Sequence, residues 1–184
     1  MNVPDQGDSV ACICEGVSEM AVMDLLLDAK ALAFSRGQLL DKEVLSPRYY
    51  RDSRKFSDQY LTMDYGDGKL HVFMIQDRKD VKYALRNPYL DKVTGPCNVV
   101  TAPEIEMLMI HSLALYAEYK KAQHRKKPSV FLAERLKVKT ADIKKRAFIE
   151  DFYSEHDLVK AVRTHKSKAA NEGKFLFLAD LLKS

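Results

Sequence analysis

Two stretches of the chain are apolar almost without interruption. Val10-Ala11-Cys12-Ile13-Cys14 runs straight into Glu15-Gly16, and Leu70-His71-Val72-Phe73-Met74-Ile75 runs into Gln76-Asp77-Arg78-Lys79-Asp80. Short runs with no polar alternation predict strands buried on both faces, over residues 10–14 and 69–76. A third run, Cys97-Asn98-Val99-Val100, follows Gly95-Pro96 and ends in Thr101-Ala102-Pro103-Glu104, predicting a strand over 97–100. Between and after these runs the spacing changes to a helical period. Met20, Met23, Leu26 and Leu27 carry it to about Phe34, with Ser18 placed as N-cap and Ser35-Arg36-Gly37 as terminator. Phe56 and Tyr60 suggest a helix over 53–62, closed by the turn Asp64-Tyr65-Gly66-Asp67-Gly68. Asp80 begins a helical turn that Asn87-Pro88 stops. Ile105, Leu108, Met109, Leu113 and Tyr116 mark a helix over 104–121, with Pro103 suited to its first turn. Three short helices follow over 129–136, 141–153 and 157–166, then a polar loop over 167–174 and a last helix over 175–182.

Strands alternating with helices imply an α/β fold with a small, mainly parallel sheet flanked by helices. Two regions are expected: an α/β domain over 9–120, and a basic helical C-terminal extension over 121–184 packed on it. The 184 residues suffice for a substantial core, and no apolar run approaches the roughly 18 residues of a membrane span. Cys12, Cys14 and Cys97 form no Cys-x-x-Cys pair, and two of them fall inside a strand. With no export signal at Met1-Asn2-Val3-Pro4-Asp5, reduced thiols and a cytoplasmic location are expected, and zinc is not. Neither Gly-x-Gly-x-x-Gly nor Gly-x-x-x-x-Gly-Lys is present, which excludes the dinucleotide and P-loop readings.

Charge changes the picture because it is unevenly spread. Residues 1–117 hold 13 Lys and Arg against 17 Asp and Glu; residues 118–184 hold 17 against 9. An acidic half beside a basic half suits a cation site next to a polyanion track, and equally two solvated faces. The acids have a pattern of their own. Glu15, Asp77 and Glu104 each stand just past a buried strand, and right-handed crossovers place such strand ends on one edge. Glu19 lies one helical turn beyond Glu15 and can face the same crevice. Carboxylates crowded there repel one another unless a cation neutralises them. Oxygen-only ligands suit Mg2+ or Mn2+, which polarise a phosphoryl oxygen and activate water.

Cys12-Ile13-Cys14-Glu15-Gly16 and His71-Val72-Phe73-Met74-Ile75-Gln76-Asp77 together resemble a toprim domain, whose signature is an apolar strand ending in Glu-Gly and a later one ending in Asp-x-Asp. The spacing of Glu15 and Glu19, with Val99-Val100-Thr101-Ala102-Pro103-Glu104-Ile105-Glu106, is similar to the toprim parts of OLD-family nucleases and of RloB-like or abortive-infection proteins. The likeness covers about residues 9–120 and departs at Asp80, one residue late for Asp-x-Asp. It implies a toprim-like fold and Mg2+-dependent phosphodiester hydrolysis of nucleic acid, in phage defence or a mobile element. Glu15 and Asp77 would be catalytic; Glu15, Glu19, Asp77, Asp80 and Glu104 (or Glu106) would hold metal. A larger ATPase or other defence protein is the implied partner, and a homo-oligomer is compatible with it.

The residues from Ser129 to Arg146 have a helix–turn–helix cadence. Lys126, Lys127, Lys137, Lys139, Lys144, Lys145 and Arg146 are therefore candidates for contacting nucleic-acid phosphates, with packed helices and solvated lysines as the plainer reading. A toprim-like module that binds nucleic acid or a protein partner without cutting is the alternative function.

Overall fold

The first two apolar runs lie side by side at the centre of the molecule. The computed structural model describes residues 4–79, 82–85, 91, 93–169 and 175–183. Strand β1 (Ser9–Cys14) pairs in parallel with β2 (Leu70–Gln76), from Ser9 opposite Leu70 to Cys14 opposite Ile75, and every residue of β2 is buried. Strand β3 (Val93–Val100) is longer than expected because it continues back through Gly95-Pro96. Those two residues form a bulge: His71 faces Thr94 and Phe73 faces Cys97, leaving both opposite Val72. Gly95 is required there. Its φ is +113°, and a Cβ would stand 2.7 Å from the Val72 carbonyl oxygen.

The segment expected to be a final helix over 175–182 is instead a fourth strand, β4 (Leu176–Phe177), parallel to β3, followed by a 3-10 turn over Leu178–Leu181. The free edge of β3 accepts the Leu-Phe pair, and this tertiary pairing outweighs a local pattern that fits either element. The sheet order is β1-β2-β3-β4 with all strands parallel, so all carboxyl ends share one rim. The α/β, parallel-sheet expectation holds. The basic segment is not laid onto a finished sheet, however, since it supplies β4 itself.

Helix α1 (Val17–Asp28) begins after Gly16 as N-cap rather than at Ser18, and it stops well short of Phe34. Lys30 takes a left-handed conformation, and residues 31–33 are drawn into pairing with the C-terminus: Ala33 N–H donates to Leu181 O and Lys183 N–H to Ala31 O, both at 2.8 Å. Helices α2 (Pro47–Arg51) and α3 (Ser53–Tyr60) cover one sheet face, packing Tyr49, Phe56 and Tyr60 on Ala11, Ile13, Val72 and Met74.

The other face carries Cys12, Cys14, Phe73, Ile75 and Val99. It is covered by α1 with α4 (Met107–Ser112), α5 (Tyr116–Ala122), α6 (Pro128–Leu136), α7 (Thr140–Ile143), α8 (Arg146–Glu155) and α9 (Leu158–Lys168). The helix expected over 104–121 is broken at Ala114, whose φ is +57°, and Pro103 precedes α4 rather than opening it. The helix expected over 141–153 is divided into α7 and α8. Phe131, Leu132, Ile143, Ile149 and Val162 join α1 and β1 in one apolar cluster. Among the described residues no helix is long and apolar enough to cross a membrane.

Candidate acidic site at the carboxyl rim of the sheet

The strand register sets the first two acids together. Glu15 N–H extends the ladder by one bond, donating to Ile75 O at 2.9 Å, and Asp77 N–H donates to Glu15 Oε2 at 3.3 Å. The two carboxylates therefore share a rim and a neighbourhood. Partial burial raises the Glu15 carboxyl above its ordinary value and the charge of Asp77 raises it further, while the Asp77 N–H and Arg78 act against this.

Gly16 explains how a third acid reaches the same place. A Cβ at this position would lie 2.8 Å from Glu19 Oε2, so the Glu19 carboxylate occupies the space that a side chain would take. Glu19 sits in the first turn of α1 and is 9% exposed. Burial pushes its carboxyl up to about 7, and the charges of Glu106, Glu15 and Asp77 add to the shift.

Glu106 immediately precedes α4 and is 3% exposed. Burial again raises its carboxyl, with Glu104 and Asp77 contributing and Lys144 opposing. Lys144 enters from the α7–α8 junction, its Nζ 3.8 Å from Glu106 Oε1 and 3.9 Å from Glu104 Oε1. Ser18 Oγ donates to the Lys144 carbonyl at 3.3 Å, tying that junction to α1. Glu104 has a different task. Its Oε2 accepts the Ser129 N–H at 2.9 Å, in the first turn of α6. The sequence put Glu104 foremost among the acids of this segment, whereas Glu106 is the one whose charge reaches Glu19.

On the opposite side, Gln76 is fully buried and fully used. Its Oε1 accepts from Tyr50 OH at 2.8 Å, and its Nε2 donates to Arg78 O and Asn98 Oδ1, both at 3.0 Å. The Arg78 guanidinium stands 3.4 Å from Tyr50 OH and 3.8 Å from Glu15 Oε1. The hydrogen bond of Tyr50 to Gln76 and the approach of Arg78 to Glu15 join residues that the sequence pattern does not connect.

The candidate phosphate contacts divide. Lys144 belongs to the acid site. Lys126 pairs with Glu134, Lys145 with Asp142, and Arg146 with Asp24 and Glu150. Lys127, Lys137 and Lys139 make no ion pair among the described residues. His111 is stacked on Tyr116, with its Nε2 3.4 Å from His165 Nδ1.

The acid site thus brings Glu15, Glu19, Asp77 and Glu106 into electrostatic contact, with Glu104 at its edge. As they lie, no three His, Cys, Asp or Glu side chains among the described residues are grouped to hold a metal ion. Asp80, expected among the ligands, lies outside the described residues. Compared with family models, curated proteins and solved structures, the chain matches none.

Proposed function

We propose that the chain is a Mg2+-dependent, toprim-type nuclease that hydrolyses phosphodiesters in nucleic acid. One observation carries the reading: Glu15, Glu19, Asp77 and Glu106, from three separate parts of the chain, gather at the carboxyl rim of a parallel sheet, where burial and then the neighbouring acid charges raise the carboxyls of Glu15, Glu19 and Glu106. A four-stranded parallel sheet flanked by helices is compatible with a toprim-like fold. The donors fit a hard divalent cation in kind, being oxygen-only and carrying excess negative charge. Glu15 and Asp77, on adjacent strand ends, would hold the ion, with Glu19 and Glu106 flanking. A bound ion supplies Lewis-acid polarisation of the phosphoryl oxygen and a more acidic water. Glu15, its carboxyl raised by burial and still partly exposed beside Asp77, is suited to take the proton of an attacking water. Lys144 restrains the charge of Glu106 and keeps that side of the cluster occupied. By the resemblance noted above, the setting is phage defence or a mobile element, beside a larger effector.

Glu15→Gln tests this. It is expected to lower Mg2+-dependent cleavage of labelled DNA and RNA oligonucleotides by about a hundredfold or more, with an unchanged circular dichroism spectrum. Cleavage at the parent rate would remove Glu15 from the mechanism. A second reading, nucleic-acid binding without hydrolysis, is favoured by the two built-in cations, Arg78 on Glu15 and Lys144 on Glu104 and Glu106. Nucleic-acid affinity with no heat of Mg2+ binding would select it.

A further inference from the structure

A cluster of acids repels the polyanion it is meant to cut, so a cation at its mouth has to receive the phosphate. Lys144 is occupied by two carboxylates. Arg78 is placed differently. Its main chain is pinned one residue beyond Asp77, because the buried Gln76 amide donates to the Arg78 carbonyl. Its side chain is 62% exposed, and its polar neighbours among the described residues are the Tyr50 hydroxyl at 3.4 Å and a single carboxylate, Glu15, at 3.8 Å. A guanidinium carries five N–H donors in a planar fork, so among the described residues these two contacts leave most of them open. The next cation, Lys79, turns away over the Phe175 ring, 5.4 Å from its centre.

We infer that Arg78, set in place by Tyr50 and Gln76, is the phosphate-binding residue of the rim, gripping the non-bridging oxygens of the nucleic-acid phosphodiester presented to the acids. This rests on the phosphodiester reading of that site. Arg78 touches substrate, whereas Tyr50 is a positioning residue that aims the guanidinium.

The test is fluorescence anisotropy of labelled single-stranded and duplex DNA and RNA with the full chain in Ca2+, across a salt series, alongside cleavage kinetics in Mg2+. Arg78→Ala is expected to weaken binding about tenfold and to reduce the slope of log affinity against log salt by about one. Arg78→Lys should restore the slope and only part of the affinity, since an ammonium cannot form the two-pronged contact. Tyr50→Phe should cost a smaller loss with the slope intact. Unchanged affinity and slope in Arg78→Ala, or no nucleic-acid binding by the parent chain, overturns the inference. The two readings fail separately. Arg78-dependent binding by a chain that never cleaves sinks the nuclease alone. Glu15-dependent cleavage with KM and kcat untouched by Arg78→Ala sinks the role of Arg78 alone.

Discussion

The two rims of the sheet treat a carboxylate in opposite ways. At the amino rim, Asp8 precedes β1 and is surrounded by donors: the Lys69 N–H at 2.8 Å, the Asp5 N–H at 2.9 Å and His71 Nε2 at 2.8 Å. The backbone bonds, with the His71 contact, hold its carboxyl down at about 2. At the carboxyl rim, burial raises Glu15, Glu19 and Glu106, and the charges of neighbouring acids add to the shift. An acid surrounded by N–H donors ties segments together. Acids pressed against one another cost the fold stability, and arrangements of that kind concentrate where chemistry is done.

The largest way to break this comparison is pH. A carboxyl whose folded value lies above its unfolded one stabilises fully below the unfolded value, and that stability is lost as pH rises through the folded value. For Glu19 the window runs from 4.5 to about 7, a loss of about 3 kcal/mol in the absence of a cation. His165, buried beside His111 and held at about 4, runs the other way: its contribution is lost as pH falls from 6.5. Denaturant melts of the parent and of Glu19→Gln, compared at each pH, separate the two effects. The stability difference in favour of Glu19→Gln should grow from pH 4.5 to 7, and Mg2+ should shrink it. A difference that stays flat across this window would mean that Glu19 is not held above the ordinary range.

Next in size is the amino rim. Asp8→Ala leaves the His71 ring buried without its partner and frees the Lys69 and Asp5 N–H groups. A loss of about 2 kcal/mol is expected in chemical denaturation at pH 7. The stability supplied by Asp8 is lost as pH falls from 3.8 towards 2, so the variant and the parent should converge in acid. Mg2+ affinity should be the same in both, because this rim is remote from the acid site.

How much of this was legible follows from which forces are local. β1 and β2 are unbroken apolar runs, so their burial and the acids at their ends, Glu15 and Asp77, could be read directly, and Glu19 followed from one turn of helix. The sequence predicts a shorter β3 because Gly95-Pro96 looks like a boundary, while the bulge lets the strand pass through it. α1 was overextended because Leu32 and Phe34 keep the helical period, although residues 31–33 pair with the C-terminus instead. β4 could not be told from a helix without the exposed edge of β3. Within the site, Glu104 and Glu106 look alike in sequence. The Ser129 amide, 25 residues away, is what turns Glu104 to capping. Lys144 read as one more phosphate contact in a basic run, and only the packing of the α7–α8 junction on α1 delivers it to the acids.

Gly16→Ala is the smallest perturbation and the sharpest. The Gly16 backbone is extended, with φ −144° and ψ 178°, so alanine adopts it without strain. The atom in the way of the new Cβ is Glu19 Oε2, the far end of a flexible side chain, which can swing aside. Replacing glycine by alanine at an N-cap costs about 1 kcal/mol at most, so the fold should melt nearly as before. The Glu19 carboxylate, however, must shift from the place where burial and the charges of Glu106, Glu15 and Asp77 act on it. Its carboxyl should fall from about 7 towards its ordinary 4.5, read by NMR titration of the carboxyl carbon, and Mg2+ affinity should fall with it. An unchanged Glu19 titration in a folded Gly16→Ala protein would show that the missing side chain at position 16 is not what admits the third acid to the rim.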